Sequence, residues 1–235
     1  MLSEKAILVG HRGDATNYLE NTLPAFSGAA KLGLSHIELD VQVTTDGVPI
    51  VLHDANLKRT HGLNLDVRKH TFGDLSRHGI FDATRFAYPV PRLEDFVEWM
   101  QKKPYMHVFV EIKKESLHTQ GRECVLKVIT DKLVSLVGRY TLISYDARIL
   151  AMAKRAGQPI GYVLPTMGSR YRTIAERLAP DLLFGEDHHI LRARKLWPGS
   201  WNWATFEVED MAAAQRLTKL GVRYIETMNP ALFTG

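Results

Sequence analysis

The chain is predicted to fold as a TIM-type (β/α)8 barrel of the α/β class, and three observations lead there. Short apolar runs alternate with longer segments of helical period along the 235 residues, the pattern of a mainly parallel sheet wrapped in helices. The length suits one barrel domain of about 250 residues. Charged and imidazole side chains fall late in the early strands, the end at which barrels carry their sites.

Strands are expected near residues 6–10, 36–41, 49–53, 107–112, 140–144, 160–164, 182–185, 201–206 and 224–227. Nine candidates for eight places mean that one strand is an extension or that the barrel is somewhat distorted. Residues 22–32, 93–102, 121–136, 147–156, 170–178 and 210–220 space apolar side chains three and four apart, as amphipathic helices do. Gly33, Gly157 and Gly221 follow the last periodic residues, where a left-handed cap favours glycine. The link from Val41 to Val48 holds the turn signal Thr45-Asp46-Gly47 and is too short for a crossover helix. Residues 55–91 show no clear strand and are expected to form a small helical and loop insertion over the C-terminal face of a single domain, 1–235.

Composition narrows the partners. The chain is 45% hydrophobic and 24% charged, as in ordinary globular proteins. Its net charge of +4 is scattered, apart from short groupings such as Arg192, Arg194 and Lys195. That lacks the concentrated stripe of a nucleic-acid footprint, so no nucleic acid is expected, while the mild positive field suits an anionic small molecule. The single cysteine, Cys124, is expected to be a buried, inert thiol. The N-terminal apolar run is shorter than a signal-peptide core, and no segment approaches the roughly 18 apolar residues of a membrane span. A cytoplasmic protein without stable membrane insertion is the expectation, and no feature specifies an oligomer.

The candidate site follows from strand ends. His11 and Arg12 end the first strand, Glu38 and Asp40 lie late in the second, His53 and Asp54 end the third, and Glu111 and Lys113 end the fourth. Alternation turns Glu38 and Asp40 the same way, and likewise Glu111 and Lys113. Three converging carboxylates need a cation among them, and hard oxygen ligands without cysteine point to Mg²⁺ or Ca²⁺. Each residue alone has a bland reading as a solvated strand-end charge or a structural histidine; the set of eight does not. His36 and His107 begin their strands, the end that serves stability. His61, His70, His78, His118, His188 and His189 fall in loops or helical segments, where surface roles are expected, and Asp146 and Trp203 stand near later strand ends as weaker pocket candidates.

These residues also carry a resemblance. His11-Arg12-Gly13, Glu20-Asn21-Thr22 with Ala25-Phe26, Glu38-Leu39-Asp40-Val41, Thr45-Asp46-Gly47, His53-Asp54 and Glu111-Ile112-Lys113 follow in the order and spacing of the glycerophosphodiester phosphodiesterase family, with His53 42 positions after His11. Pro91-Arg92-Leu93-Glu94 resembles the family's Pro-Thr-Leu-Glu segment. Later the chain departs: Trp203-Ala204-Thr205-Phe206 stands where the family often has Trp-Thr-Val-Asn, and Thr227-Met228-Asn229-Pro230 where it often has Thr-Asp-x-Pro. Those loops are expected to line the alcohol side of the pocket, so substrate preference is where this chain is expected to differ.

The resemblance implies hydrolysis of a glycerophosphodiester, such as glycerophosphocholine or glycerophosphoethanolamine, to glycerol 3-phosphate and an alcohol, through attack by the glycerol 2-hydroxyl and a cyclic phosphate. The residue types suit this independently. A cation held by Glu38, Asp40 and Glu111, with Arg12 and Lys113 on the substrate, offsets phosphate charge. His11 is assigned as base and His53 as acid, the reverse being equally compatible with sequence. Trp203 is assigned to substrate binding. The rivals are a lysophospholipase D-like or cyclising phosphodiesterase, a non-catalytic phosphodiester-binding barrel, and a metal-assisted enolate-forming barrel. The first would need an apolar docking surface, and no amphipathic membrane helix with a dense basic face is evident. The second is expected to lose a histidine or ligand, and none is lost; the third fits Arg12 beside His11 less well.

Overall fold

A computed structural model of the chain describes residues 6–83 and 87–234. Residues 1–5 and 235, the ends of the predicted domain, and 84–86, within the predicted insertion, lie outside the described residues. The strands are β1 (Ile7–Gly10), β2 (His36–Val43), β3 (Pro49–Val51), β4 (His107–Ile112), β5 (Tyr140–Ser144), β6 (Ile160–Val163), β7 (Leu182–Glu186), β8 (Asn202–Phe206) and β9 (Tyr224–Thr227). They run in the order β1-β9-β8-β7-β6-β5-β4-β2, and the parallel pairing of β1 with β2 closes the ring into an eight-stranded parallel barrel wrapped in helices.

The ninth strand candidate is β3. It pairs with β2 antiparallel, Val41 opposite Val51 and Val43 opposite Pro49, so it extends the barrel rather than joining it. The cause is local: β2 runs on to Val43, and the Thr44–Val48 turn returns the chain at once, with Gly47 at φ +83°. His53 therefore does not end a barrel strand as predicted. It follows a return strand that carries it back to the level of Asp40, whose carbonyl accepts from Leu52 N–H at 3.0 Å.

Strand alternation sorts the apolar residues into two layers. Val9, Phe109, Ile143, Val163, Leu182, Phe184 and Ala204 fill the barrel interior. Alternate residues of the same sheet, among them Leu39, Val41, Val108, Val110, Leu142 and Leu183, face the helices. Gly161 is required here, since a Cβ on it would stand 2.8 Å from the Phe184 ring and 2.9 Å from Ile143. The insertion has a small core of its own, Ile50, Leu52, Leu57, Val67, Leu75, Ile80 and Val90.

The six predicted helices are present as Leu23–Lys31, Leu93–Gln101, Arg122–Leu133, Ala147–Arg155, Ser169–Leu178 and Met211–Leu220. The expected short helices of the insertion are present as Lys58–His61 and Phe72–Arg77, while Lys114–Gln120 and Asp187–Ala193 are helices not predicted; both of the latter bear too few buried apolar positions for a period to show. Cys124 corrects an expectation. The Arg122–Leu133 helix buries Val125, Leu126, Ile129 and Leu133, which turns Cys124 outward and leaves it exposed. Among the described residues no helix is long and apolar enough to cross a membrane.

His36 and His107 close the base of the barrel. Their rings stack at 5.3 Å between centroids, beside Phe109 and Tyr224, and His107 Nε2 lies 3.0 Å from Thr141 Oγ1. Burial pushes both rings down to a pKa of about 4. Between about 4 and the ordinary value near 6.5 the unfolded chain binds more protons than the folded one, so stability falls as pH falls through that window. Thermal melts of the purified protein are expected to show a Tm lower at pH 5 than at pH 7.5, with a smaller gap in His107→Gln. An unchanged gap in that variant would remove the ring from this account.

Candidate active site

The C-terminal mouth of the barrel collects its charged groups by alternation along β2 and β4. Glu38 and Asp40 are 1% exposed, and their outward-facing neighbours Leu39 and Val41 pack under the helices. Glu111 lies opposite Asp40 in the parallel register. One carboxylate oxygen from each of Glu38, Asp40 and Glu111 falls within 4.8 Å of the others, so the three predicted ligands do converge.

Two cations brace this cluster. Lys113 Nζ lies 3.1 Å from Asp40 Oδ1 and 2.9 Å from Glu111 Oε1. Arg12 Nε lies 3.1 Å from Asp40 Oδ2, and Arg12 Nη1 donates to Glu20 Oε1 at 3.1 Å. Arg12 reaches these partners from a left-handed backbone, φ 58°, at a cost of about 1–2 kcal/mol for a residue with a Cβ. Its N–H donates to Glu38 Oε2 at 3.2 Å, and its carbonyl accepts from Asn21 N–H at 3.0 Å. Gly13 follows at φ 88° against the helix backbone, where a Cβ would meet the Ala25 carbonyl carbon at 2.6 Å.

The Glu20-Asn21-Thr22 stretch divides its work residue by residue. Thr22 caps the Leu23–Lys31 helix. Asn21, also left-handed at φ 59°, donates to Asp40 Oδ2 at 2.8 Å and accepts from Asp40 N–H at 3.2 Å. Glu20 accepts from both Arg12 and Arg59. Arg59 also donates to Asp54 Oδ2 at 2.6 Å, and Asp54 Oδ1 lies 2.7 Å from His53 Nδ1. Asp54 is acidic beyond its usual range, since its hydrogen bonds from Arg59 and His53 outweigh burial. It is thus an acceptor, which assigns the His53 proton to Nδ1 and leaves Nε2 unengaged. Gln42, between Asp40 and the turn on the same face, donates to the His53 carbonyl at 2.9 Å and accepts from Ser116 Oγ at 2.7 Å.

His11, 7% exposed, stands with Nε2 3.8 Å from Glu38 Oε2. Burial, reinforced by Arg12, pushes its pKa down to about 3, so the ring is neutral near pH 7. Burial and the neighbouring Asp40 push Glu38 well up, and burial also raises Glu111 against the pull of Lys113. Asp40 moves the other way: Lys113 and Arg12 outweigh its burial and hold it well below the carboxylate range.

Both histidines, Arg12, Lys113, Glu38 and Glu111 line one inner cavity of about 100 Å³. It shares His53, Glu111, Lys113 and Tyr145 with an outer cavity of about 890 Å³ walled by Asp54, Lys58, Arg59, Lys114 and Glu115. Phe206, Glu207 and Glu226 complete the inner wall. Glu226 was missed in the sequence although it obeys the same rule as Glu38: it sits late in its strand, two residues after the inward-facing Tyr224. It is 2% exposed, its Oε1 is without a hydrogen-bond partner, and burial beside Glu111 and Asp40 pushes its pKa well up.

Trp203 is a correction. On β8 it is Ala204 and Phe206 that face inward, so Trp203 points to the helix layer, donating from Nε1 to the Trp197 carbonyl at 3.2 Å. Phe206 takes the pocket position instead. Asp146 likewise caps the Ala147–Arg155 helix and pairs with Arg122.

Four carboxylates, the buried Glu38, Asp40 and Glu226 and the half-buried Glu111, thus face two cations, the half-buried Arg12 and the buried Lys113. With all four ionised they exceed the two cations by two negative charges; that excess, with Glu38 Oε1 and Glu226 Oε1 shielded and unpartnered, fits a divalent cation, and an all-oxygen set fits a hard one.

The fold and this cup define a β/α-barrel enzyme for an anionic substrate. A sequence model of the glycerophosphoryl diester phosphodiesterase family matches residues 11–223, and the chain belongs to that family of phosphoric diester hydrolases. The chain is 30% identical to the uncharacterized protein YqiK of Bacillus subtilis over 70% of this chain and 68% of that protein. It is 32% identical to a glycerophosphodiester phosphodiesterase of Caldanaerobacter subterraneus, over 62% of this chain and 57% of that protein. A phosphodiesterase of Oleispira antarctica, solved with the product sn-glycerol-3-phosphate, superposes with a TM-score of 0.79 at 20% identity, covering 97% of this chain and 94% of that one. At that identity the superposition speaks for the fold.

The Asn21–Asp40 pair yields a stability test. Asn21→Ala leaves a buried carboxylate oxygen without its donor and is expected to destabilise by about 1–3 kcal/mol. Urea unfolding measures it; a loss within error would show that Arg12 and Lys113 hold Asp40 unaided.

Proposed function

We propose that the protein hydrolyses glycerophosphodiesters to glycerol 3-phosphate and an alcohol, with His11 and His53 moving protons across a phosphate seated in the inner cavity. The observation that carries this reading is the shared lining of that cavity: two imidazoles, two cations and a carboxylate cluster around a space of about 100 Å³. Glu38, Asp40 and Glu111 would hold one divalent cation, Mg²⁺ or Ca²⁺, with Glu226 beside them. Such an ion, when bound, supplies charge neutralisation at the phosphoryl oxygens.

The chain's own residues do the rest. Arg12 and Lys113 are already charged and oriented, so they meet phosphate oxygens without reorganising, which is where electrostatic catalysis gains most. His11, neutral near pH 7, is in the state that accepts a proton from the attacking glycerol hydroxyl. Acting as acid, His53 enters the step as the imidazolium, with one proton on Nδ1 facing Asp54 and one on Nε2. Nε2 gives its proton to the leaving alcohol as the bond from phosphorus to that alcohol breaks, and the ring is left neutral with Nδ1–H. Water then opens the cyclic phosphate to glycerol 3-phosphate with the two proton roles reversed. Glu20 and Arg59 tie Arg12 to Asp54 and so couple the two halves of the cup.

In this reading residues 1–235 act as one domain, with 55–91 as the outer wall on the alcohol side. Phe206 and the polar groups of the outer cavity, rather than Trp203, then set head-group preference.

Release of glycerol 3-phosphate from a panel of glycerophosphodiesters is the direct assay. His11→Ala and His53→Ala are each expected to slow turnover by about 10² to 10⁴-fold, the usual worth of general acid or base catalysis. Wild-type rates in either variant would refute its role, and phosphorus NMR showing a cyclic phosphate as the end product would replace hydrolysis with cyclisation.

Removal of divalent ions with EDTA is expected to abolish turnover, and Mg²⁺ or Ca²⁺ to restore it. Glu226→Gln should raise the ion concentration needed for half-maximal binding in calorimetry. Full activity in chelator, or unchanged ion binding in Glu226→Gln, would respectively discard the cation and the part given to Glu226.

A further inference from the structure

A second group of ligating side chains stands on the lip of the barrel, outside the cup. Glu186 ends β7 and turns inward by alternation after Leu182 and Phe184. His188 and His189 follow in the Asp187–Ala193 helix. Their Nδ1 atoms lie 3.3 Å from Glu186 Oε1 and 3.4 Å from Glu186 Oε2.

Adjacent residues on a helix project about 100° apart, yet both rings here turn the same nitrogen to one carboxylate, with centroids 4.1 Å apart. His189 Nδ1 is shielded from solvent and makes no hydrogen bond. The backbone beneath is fixed: Ile190 is fully buried and packs directly over Gly185, so close that a Cβ on Gly185 would meet it at 3.1 Å.

Two ligands on one tetrahedral ion, each about 2.0–2.1 Å from it, stand about 3.3–3.4 Å apart, which is the spacing of each ring nitrogen from its nearer Glu186 oxygen. One ligand atom from each of the three residues falls within 4.8 Å of the others. Two imidazoles and one carboxylate are a set of borderline softness, unlike the all-oxygen cup, and select Zn²⁺-class transition ions over Mg²⁺ or Ca²⁺.

We propose that Glu186, His188 and His189 form a separate binding site for a Zn²⁺-class divalent transition ion at the rim of the active-site mouth. Its position is not remote from the chemistry, since Glu186 is paired in register with Phe206, which lines the inner cavity. The site is partly open, with the His188 side chain 59% exposed, so a water or a substrate oxygen completes the coordination.

Co²⁺ serves as a spectroscopic stand-in for Zn²⁺, titrated into the full-length protein with Mg²⁺ saturating. The expected result is one Co²⁺ per chain, with visible d–d absorption and paramagnetically shifted histidine ring N–H resonances. His188→Ala and His189→Ala should each weaken binding by at least about tenfold, and the double variant should abolish it. Turnover supported by Mg²⁺ is expected to stay unchanged in all three, and circular dichroism verifies that they fold. Persistence of the Co²⁺ signal in Asp40→Asn would separate this site from the cup. Absence of a Mg²⁺-resistant Co²⁺ ion in the wild type, or equal binding by the double variant, overturns the proposal and leaves the three side chains an ordinary surface ion pair.

Discussion

Buried negative charge in excess of its partners is the constraint around which the mouth of this barrel is built. Four carboxylates share one cup with two cations, and an unpaired charge held away from water costs several kcal/mol. The protein answers part of that cost itself. Lys113 and Arg12 settle Asp40 as an anion, Asn21 adds two hydrogen bonds to the same residue, and Glu38, Glu111 and Glu226 are left tending toward neutrality. A cup in that condition is a receptor for positive charge, and a phosphodiester bound through an ion there would have its own charge met at once.

The strain and the irregularity of the fold both trace to this cup. Arg12 adopts a left-handed backbone because its N–H, its carbonyl and its guanidinium each have a partner there, and no single extended geometry serves all three. The β2–β3 hairpin breaks the alternation of strand and helix for a comparable reason. A regular crossover would carry the chain to the barrel base before the next strand, whereas the tight return keeps His53 level with Asp40. The insertion that follows contributes Arg59, which reaches Glu20 and Asp54 together. His53 and Arg12 thus belong to a connected set of ion pairs rather than to separate strand ends.

The base of the barrel is organised differently. His36 and His107 are inward-facing members of the same two strands that carry the carboxylates, but at their beginnings, where aromatic neighbours surround them. Burial without an acidic partner suits a neutral ring that packs, whereas His11, just after β1, shares its cavity with Arg12, Lys113 and Glu38.

Much of this was readable from residue order. Hydrophobic periodicity places all nine strands and the six long helices, because alternation and the helical period are local properties that need no partner. The same alternation turns Glu38, Asp40 and Glu111 inward, and Glu226, late in β9, obeys the same rule. Trp203 shows the limit: its nearness to a strand end suggested the pocket, but which face of β8 meets the axis is set by its register with β7 and β9. Cys124 was likewise misplaced because the buried stripe of its helix depends on what that helix covers. The meeting of Arg59 with Glu20 across 39 residues rests on contacts distant in sequence. Local pattern decides which side chains can face inward; closure of the ring decides which of them meet, because only there are charges far apart in the chain brought within range of one another.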